Sequence, residues 1–233
     1  MTMTARQKSS EKRLTPVCSK FPKKSIEENV WHLSKQLISA FPTSNCRVCF
    51  LTNCKRKVSQ LFEDVNFYVS LWHQRTGDPN FEGFVVWDYH VFAMLHHDQQ
   101  GELIFDLDTT LQFPCSAKEY VEKAIRPDCE CHNNRRLFRV VDAKLYVEKF
   151  ASDRSHMISP ETFAHPPPWP IIVTHNCQNN LSKWLEVAVD RCPHTDSYGC
   201  VFNLEHGVKI VNGKYCIHTP TYPYGYDLFV CCV

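Results

Sequence analysis

The feature that most constrains the fold is a long strand-like segment, Phe84–Leu95, with a second one, Glu102–Asp108, shortly after it. The first segment is rich in Val, Phe, Tyr and Trp, which β-sheets favour. The residues between the two, His96–Gly101, are polar and end in glycine, as turns do. The pattern predicts a β-hairpin at the centre of the fold.

Helical patterns surround this hairpin. Apolar residues recur on one side of a predicted helix over 26–41, which Ser25 and Glu28 begin as a capping box and Pro42 ends. Further strands are predicted over 46–51 and 137–141, and further helices over 116–124, 143–150 and 181–189. Helices around a strand-rich centre predict one α+β domain.

Composition narrows the class of protein. The chain has 233 residues, 13 cysteines and a formal net charge of +1, and no apolar run is long enough for a membrane helix. We therefore expect no nucleic-acid or membrane partner, and reduced thiols. The expected organisation is a basic leader over 1–24, one domain over 25–216 and a tail of unknown structure over 217–233.

The hairpin places a histidine near a carboxylate. If the strand is regular, Asp88, His90 and Phe92 share one face while Trp87 and Tyr89 share the other. A turn near residues 97–99 sets His90 opposite or diagonal to Asp106. Such a pair fixes an imidazole tautomer for catalysis, but it also occurs as a structural hydrogen bond in a core, and the spacing leaves both readings open.

A catalytic histidine of this kind needs a nucleophile or a metal. A helix N-terminus lowers the pKa of a thiol, and the helix at 26–41 offers one, but its first-turn residue is Ile26, which has no nucleophilic atom. Two groups of residues could in principle bind a metal: the CxxC of Cys46 and Cys49, and the cluster of Cys129, Cys131 and His132. A pair of cysteines in an apolar strand is more often buried as small hydrophobic side chains than bound to zinc, and we expect no metal site.

Several motifs resemble one family, the protein N-terminal glutamine amidohydrolases. The motifs, in chain order, are EENVW at Glu27–Trp31, WDYHV at Trp87–Val91, DLDT at Asp106–Thr109, FPC at Phe113–Cys115, FASDRSHM at Phe150–Met157 and PPP at Pro166–Pro168. The resemblance runs from about residue 25 to about residue 216. The chain departs from the pattern by a longer stretch at 58–70 and by the residues after 216.

The resemblance implies an activity and a fold. The family hydrolyses the side-chain amide of an N-terminal glutamine to glutamate and ammonia, in the arginine branch of the N-degron pathway. Its members are monomers of cytosol and nucleus that use no metal or cofactor, and their partners are proteins with N-terminal glutamine. The implied fold is an α/β/α sandwich around a mainly antiparallel sheet, resembling papain-like and transglutaminase-like cysteine hydrolases.

The resemblance also implies roles for residues. In the Cys-His-Asp mechanism of the family, His90 matches the general base and acid, and Asp106 matches the residue that orients it. The nucleophilic cysteine belongs immediately before EEN, where this chain has Ile26. Arg154 and His156, in the FASDRSHM stretch, are open to a functional or a structural hydrogen-bonding role.

The departure at Ile26 leaves two functional hypotheses. Ser25 and Cys18 are the nearby groups that could replace the thiol, although Ser25 is needed for the helix cap and Cys18 lies in the leader. Without a replacement, the chain is a catalytically silent module that still binds N-terminal glutamine. In either case the substrate's α-ammonium needs a carboxylate near His90, and Asp88 and Asp108 are the candidates.

Overall fold

The computed structural model describes residues 26–53, 68–126, 136–155, 167–187, 193–203, 208–211 and 214–217. Several predicted features lie outside these residues: the leader over 1–24 with Cys18, the proposed cap Ser25, most of the 58–70 stretch, and all of the 217–233 tail after residue 217. The same holds for the cysteine and histidine cluster at 129–132.

The centre of the fold is a seven-stranded sheet in the order β6-β5-β4-β1-β7-β9-β8. Every neighbouring pair in it is antiparallel. Its strands are β1 (Cys46–Asn53), β4 (His90–His97), β5 (Gly101–Phe105), β6 (Cys115–Ser116), β7 (Arg136–Asp142), β8 (His194–Asp196) and β9 (Gly199–Asn203). Two small antiparallel sheets accompany it: β2 (Val69–Leu71) with β3 (Val85–Trp87), and β10 (Val208–Val211) with β11 (Lys214–Ile217).

Helices cover both faces of the large sheet. The helices are α1 (Ile26–Ala40), α2 (Ala117–Tyr120), which continues as a π-helical turn over Val121–Ile125, α3 (Ala143–Lys149) and α4 (Leu181–Leu185), with a 3-10 turn at Pro79–Phe81. α1, α3 and α4 pack into one core cluster, whereas α2, its π-helical turn and the β2–β3 pair pack into the other.

Alternation along β1 explains the two layers. Val48 and Phe50 enter the cluster with α1, and Cys49 and Leu51 enter the cluster with α2. Both faces of the central strands are therefore apolar, as a sheet covered by helices on each side requires. The predicted α+β fold with helices on both sides of a mainly antiparallel sheet is confirmed. The likeness to papain-like and transglutaminase-like hydrolases stays a prediction.

The hairpin is confirmed, but the single strand over 84–95 is wrong. The chain forms β3, leaves strand geometry at Asp88 and Tyr89, and re-enters a strand at His90 in a different sheet. The return strand also ends at Phe105, so Asp106 and Asp108 lie in the turn that follows β5. A regular alternation cannot cross a break between two sheets, and the predicted face partners therefore change.

The helix predictions hold within a few residues. α1 ends one residue earlier than predicted, and Ser116 caps α2 by accepting a hydrogen bond from the backbone N–H of Glu119 at 3.2 Å. The strands over 46–51 and 137–141 are confirmed as β1 and β7. No helix in the described part of the chain is long and apolar enough to span a membrane.

Candidate active site

The predicted histidine–carboxylate pair is present. His90 begins β4 and Asp106 follows β5, and His90 Nε2 lies 3.0 Å from Asp106 Oδ1. Both side chains are fully buried. The contact is an ion pair when His90 is protonated, and its angles lie outside those of a linear hydrogen bond. The two residues, which the sequence motifs singled out separately, lie just beyond the paired part of the hairpin, which begins at Ala93 and Phe105.

Asp106 has four polar neighbours. Oδ1 faces His90 and also accepts a hydrogen bond from the backbone N–H of Asp108 at 3.0 Å. Oδ2 accepts from the Tyr120 hydroxyl at 2.8 Å and from Gln74 Nε2 at 3.1 Å. Burial by itself raises the pKa of Asp106, but a positive charge on His90 and the hydrogen bonds from the Asp108 backbone and from Tyr120 outweigh it and hold the pKa below its usual range.

Gln74 reaches Asp106 because two loops pair with each other. Gln74 and Thr109 form an isolated antiparallel bridge, and the backbone N–H of Arg75 donates to the carbonyl of Asp108 at 2.7 Å. Gly83 lets this loop close: a Cβ at Gly83, where φ is +67°, would lie 2.7 Å from the backbone oxygen of Gln74. The sequence analysis did not find Gln74, because no local pattern marks a loop residue that pairs with a distant turn.

Aromatic rings enclose His90. The Trp87 ring stacks on the imidazole with a centroid distance of 4.5 Å, and Phe92 lies on the same side of β4 at 6.2 Å. The expectation that Trp87 and His90 occupy opposite faces is wrong, because the chain breaks between them. His90 Nδ1 has no hydrogen-bond partner within the described residues. This nitrogen is therefore the one left to receive a proton from a reacting group.

The N-terminus of α1 is fixed close to the start of β4. Tyr89, the neighbour of His90, donates through its hydroxyl to Glu27 Oε2 at 3.2 Å. Burial and the charge of Glu27 raise the pKa of Tyr89 well above its ordinary value, so the phenol stays protonated as a donor. Tyr146 donates to the backbone carbonyl of Glu27 at 2.9 Å. Glu27, which follows Ile26, is thus tied to Tyr89, the residue before β4, and to Tyr146 of α3.

Glu28 also fastens the first turn of α1. Its carboxylate accepts two hydrogen bonds from Arg154 and a third from Trp169 Nε1, each at 2.8 Å. These contacts show Arg154 in a structural hydrogen-bonding role, and the functional reading stays a prediction. His156 lies outside the described residues. The predicted cap from Ser25 lies outside the described residues, and Glu28 is engaged with Arg154.

The two candidate carboxylates for an α-ammonium differ in their surroundings. Asp88 is exposed and accepts a hydrogen bond from the backbone N–H of Tyr89 at 3.2 Å. Asp108 is half-buried, and its Oδ2 accepts from the hydroxyl of Thr76 at 2.7 Å. Burial raises the pKa of Asp108, and the charges of Asp106 and His90 act on it as well. Asp108 is thus the candidate in electrostatic contact with the histidine pair.

The thiols near the site are structural. Cys115 on β6 is buried, and burial followed by the charge of Asp106 raises its pKa to about 12. Cys46 and Cys49 enter opposite core clusters, so they cannot ligate one ion together. No group of three or more His, Cys, Asp and Glu side chains suited to a metal occurs within the described residues.

Comparison with known proteins identifies the family. The family model described as N-terminal glutamine amidase matches residues 23–211. The chain belongs to the N-terminal glutamine amidase family. The matched range contains α1, the hairpin of β4 and β5 that carries His90, and the loops that hold Asp106.

Curated relatives agree with this membership. The protein N-terminal glutamine amidohydrolase of Homo sapiens is 38% identical over 198 residues, which cover 82% of this chain and 86% of the relative. The protein of the same name from Oryza sativa subsp. indica is 35% identical, with 79% and 80% covered. A third, from Drosophila ananassae, is 34% identical, with 78% and 83% covered. The relatives are named for hydrolysis of an amide, so the family is one of hydrolases.

Proposed function

We propose that this chain acts on proteins with an N-terminal glutamine and that its reaction is hydrolysis of the glutamine side-chain amide to glutamate and ammonia. The observation that supports this most is the fully buried His90–Asp106 pair, whose neighbour Tyr89 bonds Glu27 in the first turn of α1. A histidine held by a carboxylate, with its second ring nitrogen unpartnered within the described residues, is the arrangement that general base catalysis requires.

The proposed mechanism follows from these positions. His90 accepts the proton of a nucleophile at the start of α1, and Asp106 stabilises the imidazolium that forms. The nucleophile attacks the side-chain carbonyl carbon of glutamine, and backbone N–H groups at the first turn of α1 are candidates to hold the oxyanion. His90 then protonates the departing ammonia, and a water that His90 deprotonates hydrolyses the acyl intermediate to glutamate.

The residue at the helix start decides whether this reaction proceeds. A cysteine would match the family mechanism at position 26, and Ile26 has no atom that can attack a carbonyl. Ser25 and Cys18 stay candidates to replace it. The second function that we propose is therefore binding of N-terminal glutamine without turnover, and Ile26 is the observation that favours it.

Ammonia release separates these functions. The substrate is a peptide that begins with glutamine, and the same peptide with an acetylated N-terminus is the negative control. The assay compares three proteins in parallel: the unsubstituted protein, Ile26→Cys and Ile26→Cys/His90→Gln. Release by Ile26→Cys alone would support the proposed site and would show that Ile26 is what prevents turnover. Ammonia release by the unsubstituted protein supports Ser25 or Cys18 as the nucleophile, and the variants Ser25→Ala and Cys18→Ala then distinguish the two.

If Ile26→Cys releases no ammonia although its melting temperature equals that of the unsubstituted protein, the hydrolase proposal is contradicted. Peptide binding by calorimetry then tests the second function directly. The Gln-initiated peptide should bind and its acetylated form should not, because the α-ammonium is part of the recognised group. Equal binding of the two peptides, or none, would rule out recognition of N-terminal glutamine.

We place the α-ammonium at Asp108 in preference to Asp88. The support is that Asp108 is half-buried and acts electrostatically on the His90 pair, whereas Asp88 is exposed. In Ile26→Cys, Asp108→Asn should raise KM for the Gln-initiated peptide and Asp88→Asn should leave it unchanged. The reverse result would move the ammonium site to Asp88.

The proposal includes action as a monomer without metal or cofactor, in cytosol and nucleus. Its support is the family resemblance. Sedimentation of the full chain tests the first point, and activity of Ile26→Cys after dialysis against EDTA tests the second.

A further inference from the structure

The Asp106 carboxylate has a separate set of contacts on each of its oxygens. Oδ1 lies 3.0 Å from His90 Nε2, whereas Oδ2 is the acceptor for Tyr120 and Gln74. A carboxylate turns easily about its Cβ–Cγ bond. We propose that Tyr120 and Gln74 are positioning residues that pin Oδ2 and so keep Oδ1 directed at His90. The inference rests on the proposed function insofar as it assigns His90 to catalysis.

Tyr120 is a rigid donor. It is fully buried at the end of α2, its ring packs against Phe92 at a centroid distance of 5.1 Å, and its hydroxyl lies 2.8 Å from Asp106 Oδ2. A buried phenol needs a partner, but that partner need not be a carboxylate. Tyr146, equally buried on the other face of the sheet, satisfies its hydroxyl with a backbone carbonyl. A backbone carbonyl would therefore have been enough to satisfy the Tyr120 hydroxyl, and its use of the Asp106 carboxylate points to a role for that contact.

Gln74 is held in a single orientation. Its Nε2 donates both to Asp106 Oδ2 and to the backbone carbonyl of Trp72, at 3.1 and 3.2 Å. The opposite amide orientation would set the side-chain oxygen against the carboxylate and the carbonyl, both of which are acceptors. Gln74 Oε1 is buried and has no partner within the described residues. Gln74 thus leaves its buried Oε1 without a partner while both hydrogens of Nε2 are used. This arrangement favours a role for the amide as a hydrogen-bond donor to Asp106.

The two donors come from independent elements. Gln74 lies in the loop that pairs with the turn after β5, and Tyr120 lies in a helix on the same face of the sheet as Phe92. Removal of one donor thus leaves the other in place. The negative charge on Asp106 is stabilised by hydrogen bonds to its ionised form, so loss of either donor should make the carboxylate easier to protonate and freer to turn.

The test reads Asp106 directly. Carboxyl carbon NMR follows the titration of Asp106 in the unsubstituted protein, in Tyr120→Phe and in Gln74→Met. Tyr146→Phe is the matched control, because it removes the same hydroxyl from an equally buried tyrosine that bonds a backbone carbonyl. The pKa of Asp106 should rise in the first two variants and stay unchanged in the control. No rise in either variant, or an equal rise in Tyr146→Phe, would overturn the proposal.

A second readout addresses catalysis. In an active Ile26→Cys background, Tyr120→Phe and Gln74→Met should lower kcat by about 10-fold or more with KM unchanged, because a misdirected general base slows the chemical step. A change confined to KM, or no change, would contradict a positioning role. Inactivity of Ile26→Cys itself would count against the proposed function, and the titration, which needs no turnover, would still decide the role of the two donors.

Discussion

Arg154 and Glu28 form a bidentate ion pair, with both Nε–Oε1 and Nη2–Oε2 at 2.8 Å. Glu28 is fully buried, and the Arg154 side chain is 10% exposed. Arg154 has a positive φ of 63°, which a residue with a Cβ rarely adopts. The pair therefore joins a strained loop backbone to the first turn of α1 through a carboxylate that is fully buried.

Replacement of Arg154 by leucine should be strongly destabilising. The substitution leaves the Glu28 carboxylate buried without its cation, and removal of one partner of a buried ion pair costs about 3–5 kcal/mol. Urea unfolding measures the loss. Lys123→Ala, which breaks an exposed pair with Glu119, is the control and should change the free energy of unfolding far less. A similar loss in both variants would show that burial does not set the strength of the Arg154 contact.

Sequence patterns predicted the contacts that depend on local order. The apolar period placed α1 within one residue, and the polar turn between two strand-like runs brought His90 to Asp106. The break at Asp88 was not predictable from the pattern, because β-branched and aromatic residues continue through it although the chain changes sheets. Alternation describes one strand, and it cannot reveal where a second strand begins.

The partners of Asp106 were missed for a different reason. Gln74 lies 32 residues before Asp106 and Tyr120 lies 14 residues after it. Their contacts arise from the pairing of two loops and the packing of α2, neither of which leaves a period in the sequence. The same holds for the contact of Tyr89 with Glu27, which spans 62 residues. Tertiary contacts of this kind require the assembled sheet.

The close approach of Gln74 to Gly83 gives a second stability prediction. At Gly83 a methyl group would meet both the positive φ and the backbone of Gln74 at 2.7 Å. Gly83→Ala should therefore cost about 2–4 kcal/mol, from strain and overpacking together. Gly101→Ala is the matched control, because its φ of +73° imposes the strain with nothing within 4 Å of the new Cβ. Equal losses in urea unfolding would mean that the contact with Gln74 relaxes freely.

Burial predicts which thiols react. Cys46, Cys49, Cys115 and Cys200 are buried, and burial raises the pKa of each. Cys177 is partly exposed. Iodoacetamide at pH 8 followed by peptide mass mapping should therefore modify Cys177 in the folded protein and the four buried thiols only in urea. Modification of Cys115 as fast as Cys177 would contradict the packing of β6 against α2.

Acid should weaken the fold through Asp106. The folded-state pKa of Asp106 lies below its unfolded value of about 3.9. The unfolded chain therefore binds the proton more tightly. The stabilisation is fully present above the unfolded pKa and is lost as the pH falls through the folded pKa. Asp106→Asn should lose more stability relative to the parent at pH 6 than at the lowest pH where both still fold, as measured by urea unfolding.

Asp108 should show the opposite sign in the same experiment. Burial raises its folded-state pKa above the unfolded value, so the folded state binds the proton more tightly. Its contribution is fully present below the unfolded pKa and is lost as the pH rises through the folded pKa. Relative to the parent, Asp108→Asn should therefore become more stable as the pH rises through the acid range, while Asp106→Asn becomes less stable. Two pH profiles with the same slope would contradict the different environments of these carboxylates, because both replacements remove one ionisable group from the same turn.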